Sequence, residues 1–113
     1  MSAQTNLTPD LERIRDQIAP VLARHNVQKA IVFGSFARSE PSPRSDLDLL
    51  LIEETDKRFF DRYEGLFTDL MLAVQPHREI DLLIYTPAEL EAMRHRSFIA
   101  TILREGRVIY ESE

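Results

Sequence analysis

Cysteine is absent from the 113 residues of this sequence, which excludes disulfides and zinc–thiolate centres. No apolar run approaches the roughly 20 residues that a membrane-spanning helix needs. Met1 to Asp10 is polar and lacks the hydrophobic core of a signal peptide. Positive charge is in short supply. Lys and Arg number 14 against 19 Asp and Glu, a formal net charge of −5, which argues against a general DNA- or RNA-binding surface. There is no internal repeat, low-complexity segment or interdomain linker. His25, His77 and His95 have no metal-ligand spacing and read as surface or helix-end residues. These absences leave a single domain over residues 1–113, with Met1 to Thr8 as a loose arm and the cytoplasm as its expected compartment. It is long enough to bury a core but too short to add a second, substrate-holding domain.

The local pattern alternates helices and strands. Thr8-Pro9 opens a helix as N-cap and first position, with Leu11, Ile14, Ile18, Val21 and Leu22 as its inner stripe and a kink or interruption expected at Pro20. Ala30 to Phe33 and Asp46 to Glu53 read as strands, the second buried on both faces near its end. Ser35 to Arg38 reads as the first turn of a short helix and Ser39 to Ser45 as a loop. Asp56 to Val74 is expected to be one amphipathic helix, with Phe59, Phe60, Tyr63, Phe67, Leu70, Met71 and Val74 inward, broken by Gln75-Pro76-His77. Glu79 to Tyr85 is a third strand. Thr86-Pro87-Ala88-Glu89 has the capping-box pattern. Ser97 to Glu105 is a last helix with Gly106 at its C-cap, and Arg107 to Tyr110 a closing edge strand.

The chemistry gathers at three places. Gly34-Ser35 forms a turn where backbone can approach a ligand and a helix start can face an anion. Alone it is an ordinary strand-to-helix turn with Ser35 as cap; the acids that follow make it a phosphate site. Asp46 and Asp48 occupy alternate positions of a strand and so share a face. Adjacent carboxylates repel unless a positive charge lies between them, and Mg²⁺ suits one or two carboxylates plus substrate phosphates. Asp81 interrupts the apolar run Ile80-Asp81-Leu82, where an uncompensated carboxylate is costly. Glu79 shares its face and competes for the same role, but only Asp81 has apolar residues on both sides. Arg38 either contacts phosphate, holds the loop or lies on the surface. The late basic cluster Arg94-His95-Arg96, with Arg104 and Arg107, reads first as a solvated face and otherwise as a docking surface for an acidic partner.

Gly34-Ser35, Asp46-Leu47-Asp48-Leu49 and Ile80-Asp81-Leu82 together resemble the pattern of the nucleotidyltransferase superfamily that includes DNA polymerase beta. More narrowly, the chain is similar to the minimal nucleotidyltransferases, small prokaryotic proteins often encoded beside a HEPN-domain protein. The resemblance runs from about Ala30 to Tyr110 and includes the closing Ile102-to-Glu111 segment. One departure is Ser39, where the family usually carries Gly, the residue that takes a positive φ most easily.

The resemblance implies an α/β (α+β) nucleotidyltransferase fold: a small mixed sheet of three to five strands with helices mainly on one side. It implies transfer of AMP from ATP, with Gly34 and Ser35 positioning the β- and γ-phosphates. Asp46 and Asp48 would hold one Mg²⁺, and a second ion would be shared with Asp81, which could alternatively act as general base. The implied acceptor is a tyrosine of a cognate HEPN ribonuclease toxin, with this chain as its antitoxin in a hetero-oligomer and no direct nucleic-acid contact. Two other readings stay open: a non-catalytic module that neutralises a partner by contact, and a transferase acting on a small antibiotic.

Overall fold

A computed structural model describes residues 7–38 and 46–112. Helix α1 (Pro9–Arg24) starts where Thr8 accepts a hydrogen bond from the Leu11 N–H and Pro9 occupies the first turn. Its apolar stripe, Leu11, Ile14, Ile18, Val21 and Leu22, is buried as its spacing requires. Two expectations are corrected here. Pro20 does not interrupt α1: the residue is exposed, as is Asp16, whose carbonyl loses its partner and can turn to water instead. The loose arm does not extend to Thr8, because Leu7 is buried in the core and Thr8 caps the helix; Met1 to Asn6 lie outside the described residues.

The sheet has four strands in the order β3-β2-β1-β4, formed by β1 (Lys29–Phe33), β2 (Leu47–Ile52), β3 (Ile80–Tyr85) and β4 (Arg107–Glu111). β1 pairs antiparallel with both β2 and β4, while β2 and β3 run parallel. The sheet is therefore mixed, and β4 is the edge strand its sequence suggested. The short, Leu-rich β2 is covered on both faces. Leu47, Leu49 and Leu51 join the main core with α1 and with α2 (Leu66–Ala73), whereas Leu50 packs with Ile31 against Ile99 and Ile102 of α4 (Ser97–Glu105). The larger helical layer thus lies on one side, and α4 covers part of the other.

The helix expected over Asp56–Val74 is two pieces. A 3₁₀ turn spans Phe59–Tyr63, and Gly65, at φ 77°, precedes α2. A left-handed residue cannot continue a right-handed helix, so the helical phase restarts at Leu66. That residue is buried in place of Phe67, and Phe60 is 83% exposed. Arg62 points inward from the 3₁₀ turn. It pairs with both Glu89 carboxylate oxygens at 2.6 and 2.9 Å and donates to the carbonyls of Lys57 and Ile84. Glu89 is also the reciprocal arm of the capping box at Thr86 that opens α3 (Pro87–Met93), and the Arg62 guanidinium holds its carboxyl down to about 2. This ion pair fastens the connection after β2 to the one after β3. Gly106 caps α4 with extended backbone, not the left-handed form; a Cβ there would lie 2.5 Å from both the Ile102 carbonyl oxygen and Ile31 Cγ2.

Candidate active site

β1 ends at Phe33, and Gly34 turns the chain with φ 73°. The expected helical turn at Ser35–Arg38 is present as one turn, in which the N–H groups of Ala37 and Arg38 both donate to the Gly34 carbonyl, the second at helical i+4 spacing. Gly34 is required sterically as well as conformationally, since a Cβ at this position would collide with Asp48 Oδ2. The turn is therefore pressed against the first acidic strand. The Ser39–Ser45 loop, including the Ser39 departure, lies outside the described residues.

Register places the carboxylates. Asp48 stands opposite Phe33 on β1 and opposite Asp81 on β3. The Leu47 N–H donates to the Glu79 carbonyl, extending the parallel ladder one step before β3 begins. Parallel neighbours lie about 4.8 Å apart, so Asp48 and Asp81 meet side by side on the face that α4 covers further along. The Asp81 carboxyl beside it favours the protonated form of Asp48.

Burial and this crowding push Asp48 up from 3.8 to about 6, with the loss of solvation largest, then Asp81, then the charge of Asp46; Arg38 opposes them. At an effective dielectric of about 20, two carboxylates about 5 Å apart repel by about 3 kcal/mol. Desolvation and repulsion together therefore outweigh the single guanidinium. Asp46, just before β2, is exposed and acts on Asp48 through its charge. Among the described residues, no group of three or more His, Cys, Asp or Glu side chains forms a ready-made metal cage. The donor set nevertheless fits a hard cation. Its oxygens are carboxylates, and added positive charge would relieve the crowding that pushes Asp48 up.

A cleft of about 640 Å³ opens over this pair, within the roughly 300–1,000 Å³ usual for small-molecule sites. Gly34, Ala37 and Arg38 form one wall, and Asp48, Asp81 and Leu83 the floor. The opposite wall comes from Phe98, Thr101, Ile102 and Glu105 of α4. Of the residues singled out in the sequence, Gly34, Arg38, Asp48 and Asp81 line this cleft; Ser35, partly buried in the turn, and Asp46 do not. The α4 wall was missed in the sequence. Its signal is the spacing 98, 101, 102, 105, one face of a helix in which polar Thr101 and Glu105 stand beside apolar Phe98 and Ile102. The histidines are elsewhere: His25 bonds Asp69 at 2.9 Å, and His77 and His95 are exposed. Arg94 and Arg104, both exposed, pair with the neighbouring Glu91 and Glu105, as a solvated face would. No helix among the described residues is long and apolar enough to cross a membrane.

The mixed sheet, with acids in register beneath a glycine turn, has the arrangement that the resemblance to nucleotidyltransferases implies. The sequence gives the same answer at the level of family. The profile described as polymerase beta, nucleotidyltransferase, matches residues 16–113, and the chain belongs to that family. Two relatives come from Methanocaldococcus jannaschii. "Putative protein adenylyltransferase MJ0604" is 33% identical over 91 residues, 77% of this chain and 82% of the relative. "Putative protein adenylyltransferase MJ0435" is 32% identical over 80 residues, 67% and 78% of the two chains. Among solved structures, a toxin-antitoxin crystal structure with AMP-PNP shares the fold at a TM-score of 0.62 and 18% identity, covering 88% of this chain and 74% of that one. The structure of "a putative nucleotidyltransferase from Sulfolobus solfataricus" aligns at 0.56 and 16%, covering 89% and 79%. The toxin-antitoxin MntA-HepT structure aligns at 0.54 and 17%, covering 88% and 71%.

Proposed function

We propose that this chain is a Mg²⁺-dependent protein adenylyltransferase. It moves AMP from ATP to a hydroxyl of a partner protein, a tyrosine of a HEPN-domain ribonuclease toxin, and thereby acts as its antitoxin within a hetero-oligomer. The observation that carries this reading is the register of Asp48 with Asp81 beneath Gly34, inside a cleft of nucleotide size. The relatives named as protein adenylyltransferases and the toxin-antitoxin proteins of the same fold support the choice of acceptor class.

Asp46, Asp48 and Asp81 would hold two magnesium ions, which when bound neutralise the triphosphate and lower the pKa of the acceptor hydroxyl. Gly34, lacking a side chain, lets backbone approach the β- and γ-phosphates. Arg38, in the cleft wall, adds positive charge facing the phosphates. The acceptor oxygen attacks the α-phosphorus, the bond to the bridging oxygen breaks, and pyrophosphate leaves. Asp81, exposed at the edge strand, receives the acceptor proton. An open cleft on an edge strand admits a protein side chain more readily than it encloses a small antibiotic.

Asp81→Asn tests the division of labour. ATP binding survives, because Asp46, Asp48 and the Gly34 turn remain, whereas transfer falls by about a hundredfold or more. Glu79→Gln retains both activities. Transfer lost in Glu79→Gln and kept in Asp81→Asn would assign the role to the other carboxylate. Toxin protection retained by Asp81→Asn, with transfer absent, would favour neutralisation by contact.

A further inference from the structure

The proposed chemistry occupies the carboxylates and the turn and leaves the α4 wall of the cleft without a task. That wall holds an aromatic ring in an unusual position. Phe98 is 59% exposed although it lies in a cleft, and its ring meets Phe33 edge to face, with centroids 5.9 Å apart and planes at 85°. Helix α4 does not need Phe98 for anchorage, since Ile99 and Ile102 are its buried contacts with the sheet. The Phe33 ring fixes the Phe98 ring from one edge, and burial leaves much of the side chain open to a ligand. Phe33 is also the residue opposite Asp48 in the ladder and the one preceding Gly34. The aromatic pair therefore adjoins the phosphate turn directly. Thr101 and Glu105, one and two helical turns further along the same face, supply a hydroxyl and a carboxylate beside it.

We infer that Phe98, held by Phe33, is the platform on which the nucleobase of the bound triphosphate stacks. The inference rests on the cleft being the nucleotide site. A planar base over an exposed ring gains stacking and apolar burial, and such contacts discriminate little among bases. Phe98 would then govern nucleotide affinity and leave the chemical step alone, while Thr101 and Glu105 present the groups that could read the base edge.

Binding measured by calorimetry with Mg²⁺, using ATP and inorganic tripolyphosphate on the same protein, separates the contributions. Phe98→Ala is expected to weaken ATP roughly tenfold or more and leave tripolyphosphate unchanged. Phe98→Tyr, which keeps the ring, retains ATP affinity. In transfer assays Phe98→Ala raises KM for ATP with kcat nearly constant. Equal ATP affinity in wild type and Phe98→Ala, or an equal loss for ATP and tripolyphosphate, overturns the platform. So does unchanged ATP binding accompanied by a raised KM for the protein acceptor, which would make Phe98 an acceptor contact. If wild-type protein binds neither ATP nor tripolyphosphate, the nucleotide reading of the cleft itself has failed.

Discussion

Asp48→Asn is expected to abolish nucleotide transfer, by about a thousandfold or more, while making the metal-free protein more stable at pH 8. Both outcomes follow from one environment. Asp48 is the carboxylate that lies against the Gly34 turn, stands opposite Asp81 and feels Asp46, so its charge is costly to fold without a cation and indispensable once one is bound. Its folded carboxyl is pushed up to about 6 from 3.8, so the folded chain holds that proton more tightly than the unfolded chain. The associated stability is complete below about pH 4 and is lost as pH rises through about 6. Asn carries no charge to desolvate. The variant therefore gains over wild type at pH 8 and gains nothing from this source at pH 4. A shift of about two units corresponds to about 3 kcal/mol. Asp48 is partly exposed, and solvent screening reduces this to about 1 kcal/mol, or about 4 °C in Tm. Melting curves without metal across pH 4–8, taken with transfer assays, test both parts. A variant melting below wild type at pH 8 would contradict the crowding, and near-normal transfer would remove Asp48 from the metal site.

Gly34→Ala should be nearly as damaging, by a different route. The left-handed backbone at φ 73° costs a residue with a Cβ about 1–2 kcal/mol. The new methyl group would also collide with Asp48 Oδ2, and overpacking adds about 1–3 kcal/mol. A total loss of about 2–5 kcal/mol is expected, with ATP binding lost because the turn and the acid strand are forced apart. The two causes separate in a double-mutant cycle. In an Asp48→Ala background the collision is gone, and Gly34→Ala should cost only its backbone share. An equal cost in both backgrounds would mean that the turn does not press on Asp48. Unchanged ATP affinity in Gly34→Ala would place the phosphates elsewhere.

Much of this was legible because it is local. Thr8-Pro9, the Leu11-to-Leu22 stripe, the strands and the Thr86–Glu89 capping box are set by neighbouring residues, and each appears close to where its pattern placed it. The alternation of Asp46 and Asp48 predicts a shared face, but Asp46 stands just before β2 and outside the cleft lining and reaches Asp48 through its charge. That Asp81 lies opposite Asp48 is a matter of strand register and could be seen only in the sheet. The failures also have local causes. The Asp56–Val74 helix splits because Gly65 takes a left-handed conformation, which a sequence permits without requiring. Pro20 stays inside α1 because the carbonyl it leaves unpaired is on an exposed face. Phe98 and the rest of the α4 wall were overlooked because a helix stripe shows which residues share a side, not what faces them.

The central proposal is that the acidic cleft transfers a nucleotide to a protein. The most direct measurement is to purify the chain with the protein encoded beside it and add Mg²⁺ with ATP labelled at either the α- or the γ-phosphate. Label from the α-phosphate is expected on a tyrosine of the partner, with labelled pyrophosphate released from the γ-labelled substrate and neither event in Asp48→Asn. Transfer of the γ-label, or α-label transfer that persists in Asp48→Asn, would contradict it.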